Sequence, residues 1–182
     1  MSLGLAILAV LAAQNEPPRP VVDVAWLEVG ARAGYAVFSE DFRSDPAPSL
    51  ALAARAPMPW LSPASAPDAE WFGVFAQVAL APVEREVKPG LEDPDGTAWF
   101  FTAGFDFTLV RDGTWLLMLQ AGPQYQAYGG ISDLDDGFAA QAGVRAGLDL
   151  SRGFSLTLSP EVAFGNAGDR VAFFYLGLLL DF

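Results

Sequence analysis

Residues Phe154 to Gly165 read FSLTLSPEVAFG. The even positions, Phe154, Leu156, Leu158, Pro160, Val162 and Phe164, are all apolar. The odd ones, Ser155, Thr157, Ser159, Glu161, Ala163 and Gly165, are polar or small. Successive side chains leave a strand on opposite faces, so a strict period of two marks a β-strand with one wholly apolar face.

The same alternation extends outward in both directions. Phe138 to Leu148, Trp99 to Leu109, Trp115 to Tyr125 and Ala172 to Phe182 repeat it, and no charged residue falls on the apolar face of any of these segments. Val21 to Phe38 and Glu70 to Pro82 follow it less regularly, and Ser49 to Ala56, with Leu50 and Leu52 opposite Arg55, is the weakest segment. The total is eight strands. Arg111-Asp112-Gly113 and Ser151-Arg152-Gly153 read as tight hairpin turns, whereas SEDFRSDPAP, EREVKPGLEDPDGT, GGISDLDDG and NAGDR form longer links at the opposite end. Short turns at one end and long loops at the other are the pattern of a membrane-spanning barrel. The link PMPWLSPASAPD is long for the short-turn end. Pro123 and Pro160 each remove a ladder donor, for which a bulge or an early strand end is expected.

Composition narrows the function. The chain of 182 residues carries a formal charge of −12, which excludes the basic footprint of a nucleic-acid binder. With no Cys and no His it lacks thiol chemistry, the commonest general base and the commonest metal ligand, so no cofactor or metal is expected. Asp133 to Gly137 supplies calcium-type ligands without the spacing of an EF-hand.

An alternating strand does not say whether its apolar face meets a core or a lipid. A soluble lipocalin-like carrier would turn that face inward; a transmembrane barrel turns it outward. The second arrangement is favoured. The polar face holds mostly Gly, Ala, Ser, Thr and Gln, and the single Lys, Lys88, lies in a loop. Aromatic residues end the apolar stripes: Trp99, Trp115, Tyr125, Phe138, Phe154, Phe164 and Phe174 form the expected interfacial girdle. From Phe154 to Phe164 a tilted strand rises about 25 Å, the height of an outer-membrane apolar band. Leu3 to Ala13 has the length of a signal-peptide core. Residues 1–13 are therefore expected to be a signal peptide, 14–20 a linker, and 21–182 one all-β, eight-stranded antiparallel up-and-down transmembrane β-barrel.

The closing stretch FFYLGLLLDF, with Leu176, Leu178, Leu180 and Phe182 on one face, resembles the C-terminal signature of Gram-negative outer-membrane proteins. Strand count, loop asymmetry and length resemble the small OmpA-like and OmpX-like barrels. The resemblance implies an outer-membrane location after export, contact with outer-membrane lipid and lipopolysaccharide, recognition by the barrel-assembly machinery, and a monomer. No further domain is expected after Phe182. Enzymatic outer-membrane barrels use a His, so their mechanisms do not carry over.

The ionisable residues expected inside are Glu28, Arg32, Arg55, Asp106, Arg145, Asp149 and Glu161. Asp181 and Arg85 lie near the rims. Buried charges are tolerated when paired, so a central Arg–carboxylate network plugging the lumen is expected; if the barrel conducts, Arg145→Ala is expected to raise the conductance. Asp149 and Glu161 could form a catalytic carboxylate pair, but they face a filled interior rather than a cleft. The function expected is structural or surface-interacting through the acidic loops, with a narrow porin-like channel as the alternative.

Overall fold

The computed structural model describes residues 26–38, 46–61, 71–84, 95–112, 114–129, 136–151, 153–165 and 170–182. The expected signal peptide and linker lie outside the described residues, as do the Asp133–Asp135 part of the acidic run and Arg85. The strands are β1 Glu28–Phe38, β2 Ala47–Pro57, β3 Phe72–Glu84, β4 Asp95–Arg111, β5 Trp115–Gly129, β6 Gly137–Ser151, β7 Phe154–Gly165 and β8 Arg170–Asp181. Each pairs antiparallel with its sequence neighbour, and β1 closes on β8 from Glu28↔Asp181 to Phe38↔Val171. The seam continues past the strands: Trp26 N donates to Phe182 O at 3.0 Å and Phe182 N to Leu27 O at 2.9 Å. Closure leaves no unpaired edge, which is the condition for strands to cross a bilayer.

The apolar face is outside. Leu50, Leu52, Phe105, Phe107, Leu176 and Leu178 are exposed, whereas Arg55 and Arg145, at 1% exposure each, are buried in the lumen. The lipocalin-like alternative requires the reverse and is corrected by this arrangement. A soluble domain would leave that apolar belt in water at great cost; lipid removes the cost, and the fold is that of a transmembrane barrel.

The girdle residues all point outward. Trp99, Phe101, Tyr125 and Phe138 form a continuous ring row across β4, β5 and β6, with centroid separations of 6.4, 6.5 and 5.2 Å. Trp115, Phe154 and Phe182 stand at the short-turn end. The long β2–β3 connection begins with a 3-10 turn, Pro59–Leu61, that exposes Trp60 and Leu61 at this same end.

The tight turns have local causes. Asp112 Oδ1 accepts from the backbone N–H groups of Thr114 at 2.9 Å and Trp115 at 2.7 Å. Gly153 has φ 77°, a left-handed conformation that only glycine adopts without strain.

The prolines produce neither a bulge nor an early strand end. β5 and β7 run through them, and only one ladder of each is interrupted. Between β4 and β5 no partners are paired at Ala103–Gly104 and Gly122–Pro123; between β6 and β7 none are paired at Val144–Arg145 and Ser159–Pro160. On their other sides Pro123↔Ala140 and Pro160↔Phe174 stay in register. The actual bulges lie at Thr108/Val110 and Asp149/Ser151, near the short turns.

Candidate functional site

The chemistry of this chain is inside the barrel, in three levels between the short turns and the long loops. The level nearest the short turns is ionic. Arg55 on β2 donates from Nε to Asp106 Oδ1 on β4 at 2.8 Å, from Nη1 to Glu28 Oε1 on β1 at 3.0 Å, and from Nη2 to Thr108 Oγ1 at 3.2 Å. Arg111, the last residue of β4, donates from Nη1 to the same Glu28 oxygen at 2.6 Å and from Nη2 to Asp181 Oδ2 at 2.6 Å. Strands β4 and β8 are four apart in a ring of eight, so the Arg111–Asp181 bridge spans the full lumen. Gly73 makes the first of these pairs possible. A Cβ there would stand 2.9 Å from both Arg55 Nε and Asp106 Oδ1.

The middle level is centred on Glu161 of β7. Its Oε1 accepts from Arg32 Nη1 of β1 at 2.6 Å. Its Oε2 accepts from Gln77 Nε2 of β3 at 2.9 Å and Gln141 Nε2 of β6 at 2.8 Å. Arg32 Nη1 also donates to Gln77 Oε1 at 2.9 Å. β3 and β7 are again opposite walls, so the Gln77–Glu161 bond closes a second diameter. Glycines again admit the long side chains: a Cβ at Gly177 would lie 2.6 Å from Arg32 Cγ, and one at Gly143 2.8 Å from Glu161 Cγ.

The level nearest the long loops is largely apolar. Ala36, Phe38, Ala81, Val83, Ala98, Phe100, Val171, Phe173 and Tyr175 belong to one buried cluster. Phe100 of β4 and Phe173 of β8 meet edge to face, with centroids 4.9 Å apart, across a third diameter. Polar groups border it: Ser49 Oγ donates to Leu80 O at 3.0 Å and lies 2.9 Å from Tyr175 Oη, and Gln124 Nε2 donates to Thr102 Oγ1 at 3.0 Å.

Of the seven residues placed inside from the sequence, Glu28, Arg32, Arg55, Asp106 and Glu161 carry these contacts. They form two clusters, not one central network. Two of the seven stand apart. Asp149 is half-buried and accepts from Ser155 Oγ rather than from an arginine. Arg145 is buried, yet its Nε and Nη2 reach no acceptor, so it joins neither cluster. The sequence reading missed three members: Arg111, assigned to a turn, and the glutamines Gln77 and Gln141. It also treated the inner face as polar, whereas Phe100, Phe173 and Tyr175 fill one level of it.

Among the described residues, Asp149 and Glu161 do not form a carboxylate pair in an open cleft. Glu161 is held by three donors inside the wall, and Asp149 lies toward the short-turn rim. Among the described residues, no group of Asp and Glu is arranged to hold a metal ion.

No protein-family model and no curated protein matches the chain. Solved structures do. Neisserial surface protein A is similar at a TM-score of 0.62 and 14% identity, with 87% of this chain and 98% of that one covered. OprG, an outer membrane protein from Pseudomonas aeruginosa, is similar at 0.58 and 13% identity, covering 87% and 97%. Ail, the attachment invasion locus protein of Yersinia pestis, solved with the heparin analogue sucrose octasulfate, is similar at 0.54 and 17% identity, covering 86% and 96%. At these identities the likeness is one of fold: a closed eight-stranded barrel of the outer-membrane kind.

Proposed function

We propose that this chain is a non-enzymatic outer-membrane barrel whose lumen is bolted shut and whose work is structural or done at the cell surface. The observation that carries this reading is the set of direct contacts across the lumen. Arg111–Asp181 at 2.6 Å, Gln77–Glu161 at 2.9 Å and Phe100–Phe173 at 4.9 Å each join opposite walls, at three different heights. Side chains from opposite walls can touch only where no water column separates them, and eight strands enclose just enough room for that. The alternative of a narrow channel would need all three levels to open.

The outer face supports the membrane setting. Leu176, Leu178, Leu180 and Phe182 are exposed along β8, as a lipid-facing strand and a C-terminal assembly signal require. Contacts with lipid and lipopolysaccharide, recognition by the barrel-assembly machinery, and a monomeric state belong to the same proposal. So does export by the N-terminal apolar segment. The long-loop end is acidic in sequence, and Asp136, just before β6, ties to the end of β5 by accepting from Tyr125 Oη at 3.1 Å and Tyr128 N at 3.0 Å. Two of the similar structures are, by name, an attachment protein and a surface protein. That naming favours a surface contact through these loops.

Planar-bilayer recording of the refolded barrel tests the closed lumen. A quiet bilayer after insertion, with insertion shown by the mobility shift of unboiled protein on SDS gels, is the expected result. Reproducible unitary steps from the unmodified chain would overturn it.

A further inference from the structure

Arg145 is a buried cation without a counter-charge. Its exposure is 1%, and neither Nε nor Nη2 reaches an acceptor. Each lumenal carboxylate among the described residues has a partner other than Arg145: Glu28 has Arg55 and Arg111, Asp106 has Arg55, Glu161 has Arg32, Asp181 has Arg111, and Asp149 has Ser155, with Glu28 Oε2, Asp106 Oδ2 and Asp181 Oδ1 left unpaired. An uncompensated ion in a barrel wall is strongly disfavoured, so this guanidinium calls for a negative partner.

Its neighbours on the lumen face are also unpartnered. Register pairs Met118 with Arg145 and Gln120 with Gly143, which sets Gln120 diagonally beside Arg145 on β5. Pairing of Gly143 with Glu161 and Ala146 with Leu158 sets Ser159 across from Arg145 on β7. Gln120 is buried with both Nε2 and Oε1 unpaired, and Ser159 Oγ is buried and unpaired as well. Between them Gly143 contributes no side chain, and the Glu161 side chain, held by Arg32, Gln77 and Gln141, packs over it. Three adjacent strands thus bring together a guanidinium, an amide NH₂ and a hydroxyl, all hydrogen-bond donors.

We propose that Arg145, Gln120 and Ser159 form a lumenal site for a small monovalent inorganic anion, chloride being the ordinary occupant. One such charge neutralises Arg145 and accepts from all three donors. Asp106, opposite Gln120 on β4 with Oδ2 unpaired, sets a negative charge behind the site and disfavours doubly charged oxyanions. The competing arrangement is a swing of Arg145 toward Asp106, which would satisfy the cation internally.

Two measurements on the full refolded barrel decide. The first is the urea unfolding midpoint in detergent micelles, titrated with sodium chloride against sodium gluconate at matched ionic strength. The expected result is a midpoint that rises and saturates with chloride, does not do so with gluconate, and loses the difference in Arg145→Met. Coincident chloride and gluconate curves, or an undiminished difference in Arg145→Met, would overturn the site. The second needs no variant: crystals grown in bromide are expected to show an anomalous peak within hydrogen-bonding distance of the Arg145 guanidinium. A guanidinium resting on Asp106 with no peak beside it would refute the proposal.

Discussion

Arg111 Nη2 and Asp181 Oδ2 lie 2.6 Å apart although their strands, β4 and β8, are on opposite walls of the barrel. Arg111 reaches the lumen because of the bulge at Thr108/Val110. Pairing runs Thr108↔Met118 and then Val110↔Leu117, so one extra residue, Leu109, is inserted and remains exposed. The parity of β4 inverts beyond it. Arg111 then pairs with Leu116, whose side chain is buried in the lumen. A bulge that re-aims one side chain is thus what supplies the lowest bolt.

Removing that bolt is expected to be costly. Arg111→Met leaves Asp181 without its cation and Glu28 with one arginine instead of two. Breaking a mostly buried pair by deleting one partner is expected to destabilise by on the order of 3 kcal/mol. Urea unfolding followed by tryptophan fluorescence in lipid vesicles measures it. A change below about 0.5 kcal/mol, the level of an ordinary surface substitution, would show the bridge to be superficial.

Glu161→Ala tests the middle bolt. Glu161 collects Arg32, Gln77 and Gln141, and no second carboxylate at that level replaces it. Its loss leaves Arg32 buried without a counter-charge and breaks the Gln77–Glu161 contact. The expected outcome is a lower urea unfolding midpoint, a destabilisation on the order of 3 kcal/mol, with planar bilayers still silent because the ionic and apolar levels stay closed. Glu161→Gln, which keeps the volume and an acceptor, is expected to lose less stability. Unitary conductance steps from Glu161→Ala would mean that the middle level alone seals the lumen.

Gly73→Ala probes how tightly the ionic level is packed. The added Cβ would meet Arg55 Nε and Asp106 Oδ1 at 2.9 Å, and Arg55 is anchored by further hydrogen bonds to Glu28 and Thr108. Overpacking at such a point is expected to cost about 1–3 kcal/mol, read as a lower denaturation midpoint at unchanged slope. Alanine at Gly137, where a Cβ meets nothing within 4 Å, is the matched control.

Much of this fold was legible in the sequence, for a physical reason. Lipid enforces one unbroken apolar face per strand, so parity alone sorted Leu176 and Leu178 outward and Glu28, Arg32 and Arg55 inward. Parity failed at Arg111, because one bulged residue inverts the count without leaving a mark in the alternation. The partner of each charge was not legible either. Arg32 and Glu161 are 129 residues apart, and their meeting depends on position around a closed ring. The inner aromatics were placed on the correct face and misjudged in role. A lumen of eight strands is filled by volume, and Phe100 with Phe173 supplies volume where no charge is needed.

The outward face makes a separate prediction. Leu176 is exposed near the middle of β8, within the apolar belt. Leu176→Arg is expected to reduce the folding free energy in vesicles by about 2–4 kcal/mol, the cost of an arginine near the bilayer midplane. The same change near the end of the strand, Leu180→Arg, is expected to cost less, since the side chain can reach the interface. Equal and small effects at both positions would be inconsistent with a spanning β8.

Pro160 offers the reverse test, a substitution that should stabilise. β7 passes through it without a bulge, and Pro160↔Phe174 is in register with β8, so its missing N–H faces β6. On that side Val144 and Arg145 have no paired partners in the ladder. Pro160→Ala supplies a donor where the strands already run side by side, and one net hydrogen bond is worth about 1 kcal/mol. The expected readouts are a higher unfolding midpoint and slow hydrogen exchange at the new amide. Rapid exchange there would show that the interrupted seam is held apart by more than the proline, with the unpaired Arg145 beside it the first residue to examine.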